Sequence, residues 1–124
     1  FVTISVMIIA VVDDLMFASK ISTVAKAVKV DVVFVRSAEQ VLLRVKEERP
    51  SLVIFDLNST KLKPLETITA IKTNAELQSI RTLGYLSHID VDLASAARDA
   101  GVDKVLSRST FSEQLPSILS SPNH

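Results

Sequence analysis

The chain has 124 residues, a length typical of a single domain, and 48% of them are hydrophobic although only 5% are aromatic. Its 14 basic and 14 acidic side chains leave no net charge, which argues against direct binding of nucleic acid or of an anionic membrane. The sequence contains no cysteine, which excludes disulfides, thiolate catalysis and cysteine-ligated zinc and is consistent with a cytoplasmic protein.

The chain begins with an apolar segment at residues 1–12. It is much shorter than the roughly 20 residues that cross a bilayer, and it lacks the basic start and cleavage site of a signal peptide. Its aliphatic residues do not alternate with polar ones, which predicts a first strand at residues 4–12 that is buried on both faces. A start at Phe1 rather than methionine is compatible with an excerpt of a longer protein. The first helix is predicted over Leu15–Val28 from apolar steps of three and four, with Asp14 as its N-cap.

The next strand and helix follow directly. A short second strand is expected at residues 31–36. Ser37, with Gln40 three residues later, resembles a capping box that opens the second helix, and this helix should end just before Pro50. Residues 51–57 form another continuous apolar run that is closed by an acid, which predicts the third strand.

Pro64 suits the first turn of the third helix. A fourth strand is predicted at residues 82–86, and a fourth helix at residues 90–100, where Gly101 takes the position after its last turn. The fifth strand is predicted over Lys104–Ser107.

The last helix is predicted to begin at Ser109 or Thr110. Proline removes a helix hydrogen bond, so Pro116 predicts either a late start or a kink in this helix. We expect residues 1–119 to form one domain and residues 120–124 to be a tail or the start of a linker.

Five strands that alternate with five helices predict an α/β fold, a doubly wound, flavodoxin-like parallel sheet of order 2-1-3-4-5. In this order the carboxyl ends of the first and third strands are neighbours, and ligands bind at that edge. Asp13 and Asp14 follow the first strand and Asp56 ends the third, so the three carboxylates are expected in one pocket. Their mutual repulsion would be relieved by a hard cation. We therefore expect Mg²⁺ to be held by these acids and the backbone carbonyl of Asn58.

Three segments carry a family resemblance: VVDD at residues 11–14, DLN at residues 56–58 and AGVD at residues 100–103. These segments resemble the motifs of the receiver domains of two-component response regulators, and the resemblance extends over nearly the whole chain. The resemblance implies that Asp56 accepts a phosphoryl group from a histidine kinase or a phosphotransfer protein, with Mg²⁺ as cofactor. Such a domain assists its own phosphorylation and is not a turnover enzyme.

Some positions differ from the family pattern. Arg108 stands where the family usually has lysine, and its planar guanidinium does not reproduce the contact of a compact ammonium. The switch hydroxyl of the family is matched by Ser87, or its position is taken by Leu86 if the strand is shifted by one residue. Val105 replaces the usual aromatic residue, so that Tyr85 is the only tyrosine.

Simpler interpretations exist for single residues: Asp14 as an N-cap alone, Asp56 as a turn residue, Arg108 as a solvated charge and His88 as a loop residue rather than a ligand. The convergence of the acids favours a site. The first functional hypothesis is a phosphoacceptor that relays a signal to a partner or to an attached effector domain. It includes a homodimer through the face of the fourth helix, fifth strand and fifth helix.

The second hypothesis is a degenerate receiver that binds protein partners without phosphorylation, because the switch positions have changed. A flavin or nucleotide enzyme of the same architecture is less favoured. The chain has two glycines and no glycine-rich phosphate loop.

Overall fold

The computed structural model describes residues 7–87 and 90–120. In these residues strands and helices alternate along the chain. They are β1 Met7–Val11, α1 Leu15–Val28, β2 Asp31–Val35, α2 Ala38–Glu48, β3 Leu52–Asp56, α3 Pro64–Lys72, β4 Arg81–Leu86, α4 Val91–Ala100, β5 Lys104–Ser107 and α5 Arg108–Ser120. No helix in the described part of the chain is long and apolar enough to cross a membrane.

The five strands form one parallel sheet of order β2-β1-β3-β4-β5, which confirms the predicted fold. β3 lies at the centre, between β1 and β4. Val11 at the end of β1 pairs with Phe55, and Asp56 at the end of β3 pairs with Tyr85. The register therefore brings the end of β3 and the turn after β1 to the same edge of the sheet.

Helices cover both faces of the sheet, as the unbroken apolar strands predict. In β1, Ile8 and Ala10 face one layer while Ile9 and Val11 face the other, and all four are buried. The first layer consists of α1 and α5, which contribute Phe17, Ile21, Ala25, Phe111, Leu115 and Leu119. The second consists of α2, α3 and α4, which contribute Val41, Val45, Ile68, Ile71, Ala94 and Ala97.

Gly84 in β4 allows β3 and the residue after it to pack closely. A Cβ atom at position 84 would lie 2.6 Å from Cδ1 of Leu57, far inside ordinary contact distance. Leu57 is 3% exposed and follows Asp56 directly. The absence of a side chain at Gly84 thus positions the chain just beyond the central acid.

Asp103, which belongs to the AGVD segment, anchors the opposite edge of the sheet. Its Oδ2 accepts hydrogen bonds from Lys72 Nζ at 2.8 Å, from Thr82 N at 2.8 Å and from Thr82 Oγ1 at 3.0 Å. Lys72 Nζ also donates to the carbonyl oxygens of Gln78 and Ile80. Burial acts to raise the pKa of Asp103, but the hydrogen bonds from Lys72 and Thr82 outweigh it and lower that pKa. This network ties α3 to the amino ends of β4 and β5.

The first two helices were predicted with differing success. α1 has its predicted bounds, and Asp14 caps it as expected. Ser37 precedes α2, but its side chain makes no capping hydrogen bond, so the predicted capping box is wrong. Lys29 and Arg49, which end α1 and α2, are in the left-handed conformation.

The prediction for the last helix was also wrong in its start. α5 begins at Arg108 because the Ser107 hydroxyl accepts the N–H of Thr110 at 3.1 Å, the contact of an N-cap. The helix continues through Pro116 to Ser120. The predicted tail beyond Ser120, the loop residue His88 and the start of the first predicted strand lie outside the described residues.

Candidate functional site

A pocket of about 300 Å³ opens at the carboxyl edge of the sheet. It is lined by Asp13, Asp56, Asn58, Ser59, Thr60, Lys61, Tyr85, Ser87 and Arg108. The structure therefore brings together Asp13, Asp56, Asn58, Ser87 and Arg108 of the residues proposed from the sequence. Asp14 lies beside the pocket, against Arg108. Leu86, the alternative to Ser87, is buried in the layer formed by α2, α3 and α4.

Asp56 is half-buried on the pocket wall, and its Oδ1 accepts the N–H of Asn58 at 3.0 Å. Burial raises the pKa of Asp56, and the negative charge of Asp13 raises it further. The Asn58 N–H and the Arg108 guanidinium act in the opposite direction, but they do not compensate fully. The pocket thus holds a carboxylate whose negative charge is only partly neutralised.

Asp14 uses both carboxylate oxygens. Oδ1 accepts the N–H groups of Met16 and Phe17 at the start of α1, and Oδ2 accepts Arg108 Nη2 at 2.8 Å. The Phe17 N–H, followed by Arg108, lowers the pKa of Asp14 although desolvation opposes this change. The Arg108 guanidinium also lies 4.5 Å from the centre of the Phe17 ring, a cation–π distance. Asp14 is therefore both the N-cap of α1 and the ion-pair partner of Arg108.

Asp13 is half-buried, and its carboxylate contacts the loop after β3. Ser59 Oγ donates to Asp13 Oδ2 at 3.4 Å, a long and therefore weak interaction. The same Ser59 oxygen accepts the N–H of Leu62 at 3.3 Å. Asp13 thus faces the pocket with little constraint on its carboxylate.

Asn58 joins the ends of β3 and β4 through its side chain, a role that the sequence did not suggest. Its Oδ1 accepts both the N–H of Ser87, at 2.6 Å, and the Ser87 hydroxyl, at 3.0 Å. The proposed switch hydroxyl is therefore held by the side chain that follows the central acid. The backbone carbonyl of Asn58 was the group singled out from the sequence, whereas these contacts belong to its amide.

The oxygen-rich composition of the pocket fits a hard divalent cation, for which carboxylates and carbonyls are the preferred ligands. Asp13 and Asp56 line the pocket and could act as ligands. Within residues 7–87 and 90–120, however, no three acidic or histidine side chains converge closely enough to hold a metal ion together. Asp14 could join Asp13 and Asp56 only if Arg108 released it.

Tyr85 and Lys61 also line the pocket but were not among the proposed site residues. Tyr85 is 1% exposed, and its ring lies 4.9 Å from the rings of Phe17 and Phe111. Its hydroxyl is buried and has no hydrogen-bond partner among the described residues. Burial raises the pKa of Tyr85 far above its usual range, and the charge of Asp56 adds to this effect. The sequence showed only an aromatic residue in the predicted fourth strand, two residues before Ser87, and the pairing with Asp56 became visible in the structure.

Comparison with known proteins gives one curated relative and many solved structures. No protein-family model matches the chain. Over 72 residues, or 58% of this chain, it is 35% identical to the transcriptional activator protein ExaE of Pseudomonas putida. The match spans only 33% of that protein.

Several of the solved structures that resemble the chain are response regulators. The response regulator from Hahella chejuensis has a TM-score of 0.86 at 20% identity, over 97% of this chain and 98% of that one. The phosphorylated cyanobacterial phytochrome response regulator RcpA has a TM-score of 0.80 at 23% identity, over 96% and 91%. The Mn²⁺-bound form of response regulator Rcp1 has a TM-score of 0.76 at 19% identity, over 90% of each chain. The chain therefore has the flavodoxin-like fold of response regulator receiver domains, as its sequence motifs predicted.

Proposed function

We propose that the chain is the receiver domain of a two-component system and accepts a phosphoryl group on Asp56. The observation that carries this proposal is the position of Asp56. It ends the central strand of a receiver fold and opens into a pocket with Asp13 and Arg108. The domain acts as a phosphoacceptor and not as a turnover enzyme.

In the proposed reaction an oxygen of the Asp56 carboxylate attacks the phosphorus of a phosphohistidine. The phosphorus–nitrogen bond breaks, and the imidazole leaves and takes up a proton from water. The donor is a histidine kinase or a phosphotransfer protein. The negative charge of Asp56 is only partly neutralised, so it repels the incoming phosphoryl oxygens. Transfer is therefore favoured only if cationic groups approach these oxygens.

Arg108 is the cationic side chain that we assign to the phosphoryl group. It lines the pocket, but its Nη2 is paired with Asp14 at 2.8 Å, so it has to exchange that partner for a phosphoryl oxygen. Ser87 has a similar exchange to make, since its hydroxyl donates to Asn58 Oδ1. Both rearrangements break existing contacts. We therefore predict that phosphorylation favours the switched conformation by only a modest free energy.

We assign Mg²⁺ to Asp13, Asp56 and the backbone carbonyl of Asn58, with Asp14 as a further ligand once Arg108 has moved. When bound there, Mg²⁺ would offset the charge that develops on the transferred group. The support is electrostatic. Burial raises the pKa of Asp56, and the negative charge of the nearby Asp13 raises it further, so a cation would relieve this repulsion. The similar regulator Rcp1 has a Mn²⁺-bound form, which supports binding of a divalent ion by a chain of this fold.

The proposal is tested with acetyl phosphate and Mg²⁺, followed by intact-mass measurement. We expect one phosphoryl group per chain in the wild type and none in Asp56→Asn, which keeps the acceptor for the Asn58 N–H. Addition of a chelator should abolish the uptake. A wild-type chain that gains no phosphoryl group, or an Asp56→Asn variant that gains one, would contradict the assignment.

A second candidate is a receiver that binds its partner without phosphorylation. The specific observation in its favour is that Arg108 and Ser87 already have partners, Asp14 and Asn58. In addition, Val105 stands where the family has an aromatic residue, beside a groove of about 250 Å³ between α4 and β5. Amide hydrogen exchange with and without fluoroberyllate separates the candidates. Large protection changes in α4 and β5 support the switch, whereas no change and no phosphoryl uptake support the constitutive module.

The output of the domain is assigned to a partner protein or an attached effector domain, with a homodimer through the face of α4, β5 and α5 as one route. Val91 on α4 is 74% exposed there and is available for such a contact. The name of the relative ExaE agrees with an effector that acts in transcription. With two-component partners of this kind we place the domain in the cytoplasm.

A further inference from the structure

Tyr85 lines the pocket and combines a rigid ring with a buried hydroxyl that has no partner among the described residues. Its ring stacks on Phe111 with 7° between the planes and also contacts Phe17, so its orientation is fixed by packing. The hydroxyl oxygen is buried, and no group among the described residues hydrogen-bonds to it. A buried hydroxyl without a hydrogen-bond partner lowers the stability of a fold. Such a group is retained more readily where a bound ligand supplies the missing hydrogen bond.

We propose that the Tyr85 hydroxyl donates a hydrogen bond to an oxygen of the phosphoryl group on Asp56 and so contributes to the specificity of the pocket for this tetrahedral oxyanion. The inference rests on the proposed phosphorylation of Asp56. Tyr85 and Asp56 are register partners in neighbouring strands and line the same pocket. A phosphoryl group on Asp56 adds oxygens on the face of the sheet to which the Tyr85 side chain belongs.

The chemistry of the hydroxyl favours an oxyanion over a metal ion. A tyrosine hydroxyl carries its proton at neutral pH, so this group is a hydrogen-bond donor and a poor metal ligand. Arg108 and Ser87 must leave other partners before they contact a phosphoryl group, whereas Tyr85 breaks no contact with the described residues. Tyr85 is therefore the donor already in place before phosphorylation.

The experiment uses fluoroberyllate with Mg²⁺ as the phosphoryl mimic and compares the wild type, Tyr85→Phe and Ser117→Ala. Tyr85→Phe removes only the hydroxyl and keeps the stacked ring. Ser117→Ala is the matched control, because it removes an exposed hydroxyl on α5 away from the pocket. Binding is followed by fluorine NMR, and the tyrosine ring by the carbon resonance of Cζ. The chain contains one tyrosine, so this resonance reports on Tyr85 alone.

We expect the Cζ resonance to shift on binding and Tyr85→Phe to bind the mimic about tenfold more weakly or worse, the effect of losing a hydrogen bond to a charged group. Ser117→Ala should bind like the wild type. Equal affinities of the wild type and Tyr85→Phe, with an unmoved Cζ resonance, would overturn the role of Tyr85 and leave Asp56 as acceptor. If the wild type does not bind the mimic at all, both proposals fail. Should Tyr85→Phe not fold, the Cζ resonance of the wild type decides.

A second arm separates a covalent phosphoryl group from free phosphate. Asp56→Asn is titrated with inorganic phosphate while the Tyr85 resonance is recorded. An unchanged resonance is the expected result. A shift in this variant, without a shift of the wild type on fluoroberyllate, would show that the hydroxyl binds free phosphate and would overturn the contact with phosphorylated Asp56.

Discussion

Replacement of Gly84 by alanine is expected to lower the free energy of unfolding by about 1–3 kcal/mol. The new Cβ would lie 2.6 Å from Leu57 Cδ1 and 2.7 Å from Leu57 Cγ, whereas carbon atoms pack at about 3.5–4.0 Å. Either Leu57 or the backbone must therefore move by about 1 Å. Leu57 is 3% exposed, and its N–H donates to the carbonyl of Tyr85 at 3.0 Å, so it has little freedom to move. The melting temperature should fall by about 3–15 °C.

Urea unfolding of Gly84→Ala, Leu57→Ala and the double variant tests the cause. Leu57→Ala alone should cost about 2–5 kcal/mol because it leaves a cavity. In the double variant the methyl group at position 84 enters the space that Leu57 vacated. The double variant should therefore lose less free energy of unfolding than the sum of the two single losses, by about 1 kcal/mol or more.

Gly101→Ala provides the control. A Cβ at Gly101 would meet Lys72 Cγ at 2.9 Å, and the backbone φ of 108° strains any side chain there, so its cost should not depend on Leu57. Combined with Leu57→Ala it should be additive within about 0.5 kcal/mol. Additive costs for Gly84→Ala and Leu57→Ala would refute the argument that Leu57 is the residue in conflict.

Further predictions concern charged groups. Asp56→Asn should raise the free energy of unfolding at pH 7 by about 1 kcal/mol. The reason is that the pKa of Asp56 is raised in the fold, which means that folding disfavours the ionised carboxylate. The gain should therefore vanish in acid, where Asp56 is protonated, and melting at several pH values would show this. In the same assay Mg²⁺ should stabilise the wild type and not Asp56→Asn. Asp103→Ala should cost about 2–3 kcal/mol in urea unfolding near neutral pH. The pKa of Asp103 is lowered from its usual 3.8, so this contribution is complete above that value and is lost as the pH falls through the lowered pKa. Arg108→Ala should cost at most about 1 kcal/mol, since its ion pair is partly exposed, but it should slow phosphoryl uptake from acetyl phosphate tenfold or more.

Much of the fold followed from local patterns. The helix Leu15–Val28 was predicted with its bounds because its apolar spacing and the capping Asp14 act within one segment. The parallel sheet with helices on both faces could be anticipated because unbroken aliphatic runs require cover on both faces. The same edge rule brought Asp13 and Asp56 into one pocket.

Contacts between distant residues could not be predicted in this way. The pair of Asp14 and Arg108 joins residues 94 positions apart and depends on which rotamer reaches across the pocket. The contact of Asn58 with Ser87 likewise depends on the relative length of two strands. For Tyr85 the sequence shows an aromatic residue in a strand, but only the packed structure shows that its hydroxyl has no partner within residues 7–87 and 90–120. Side-chain direction at the strand ends was therefore the missing information.

The network around Asp103 has a consequence for how β4 and β5 can move. It ties the amino ends of both strands to Lys72 of α3, at the edge opposite the pocket. A displacement that begins at Ser87 or Arg108 is therefore expected to grow with distance from this point, as in a lever that turns about a fixed pivot. The surface near the carboxyl ends of these strands would travel furthest, and the first turns of α4 and α5 would travel with it.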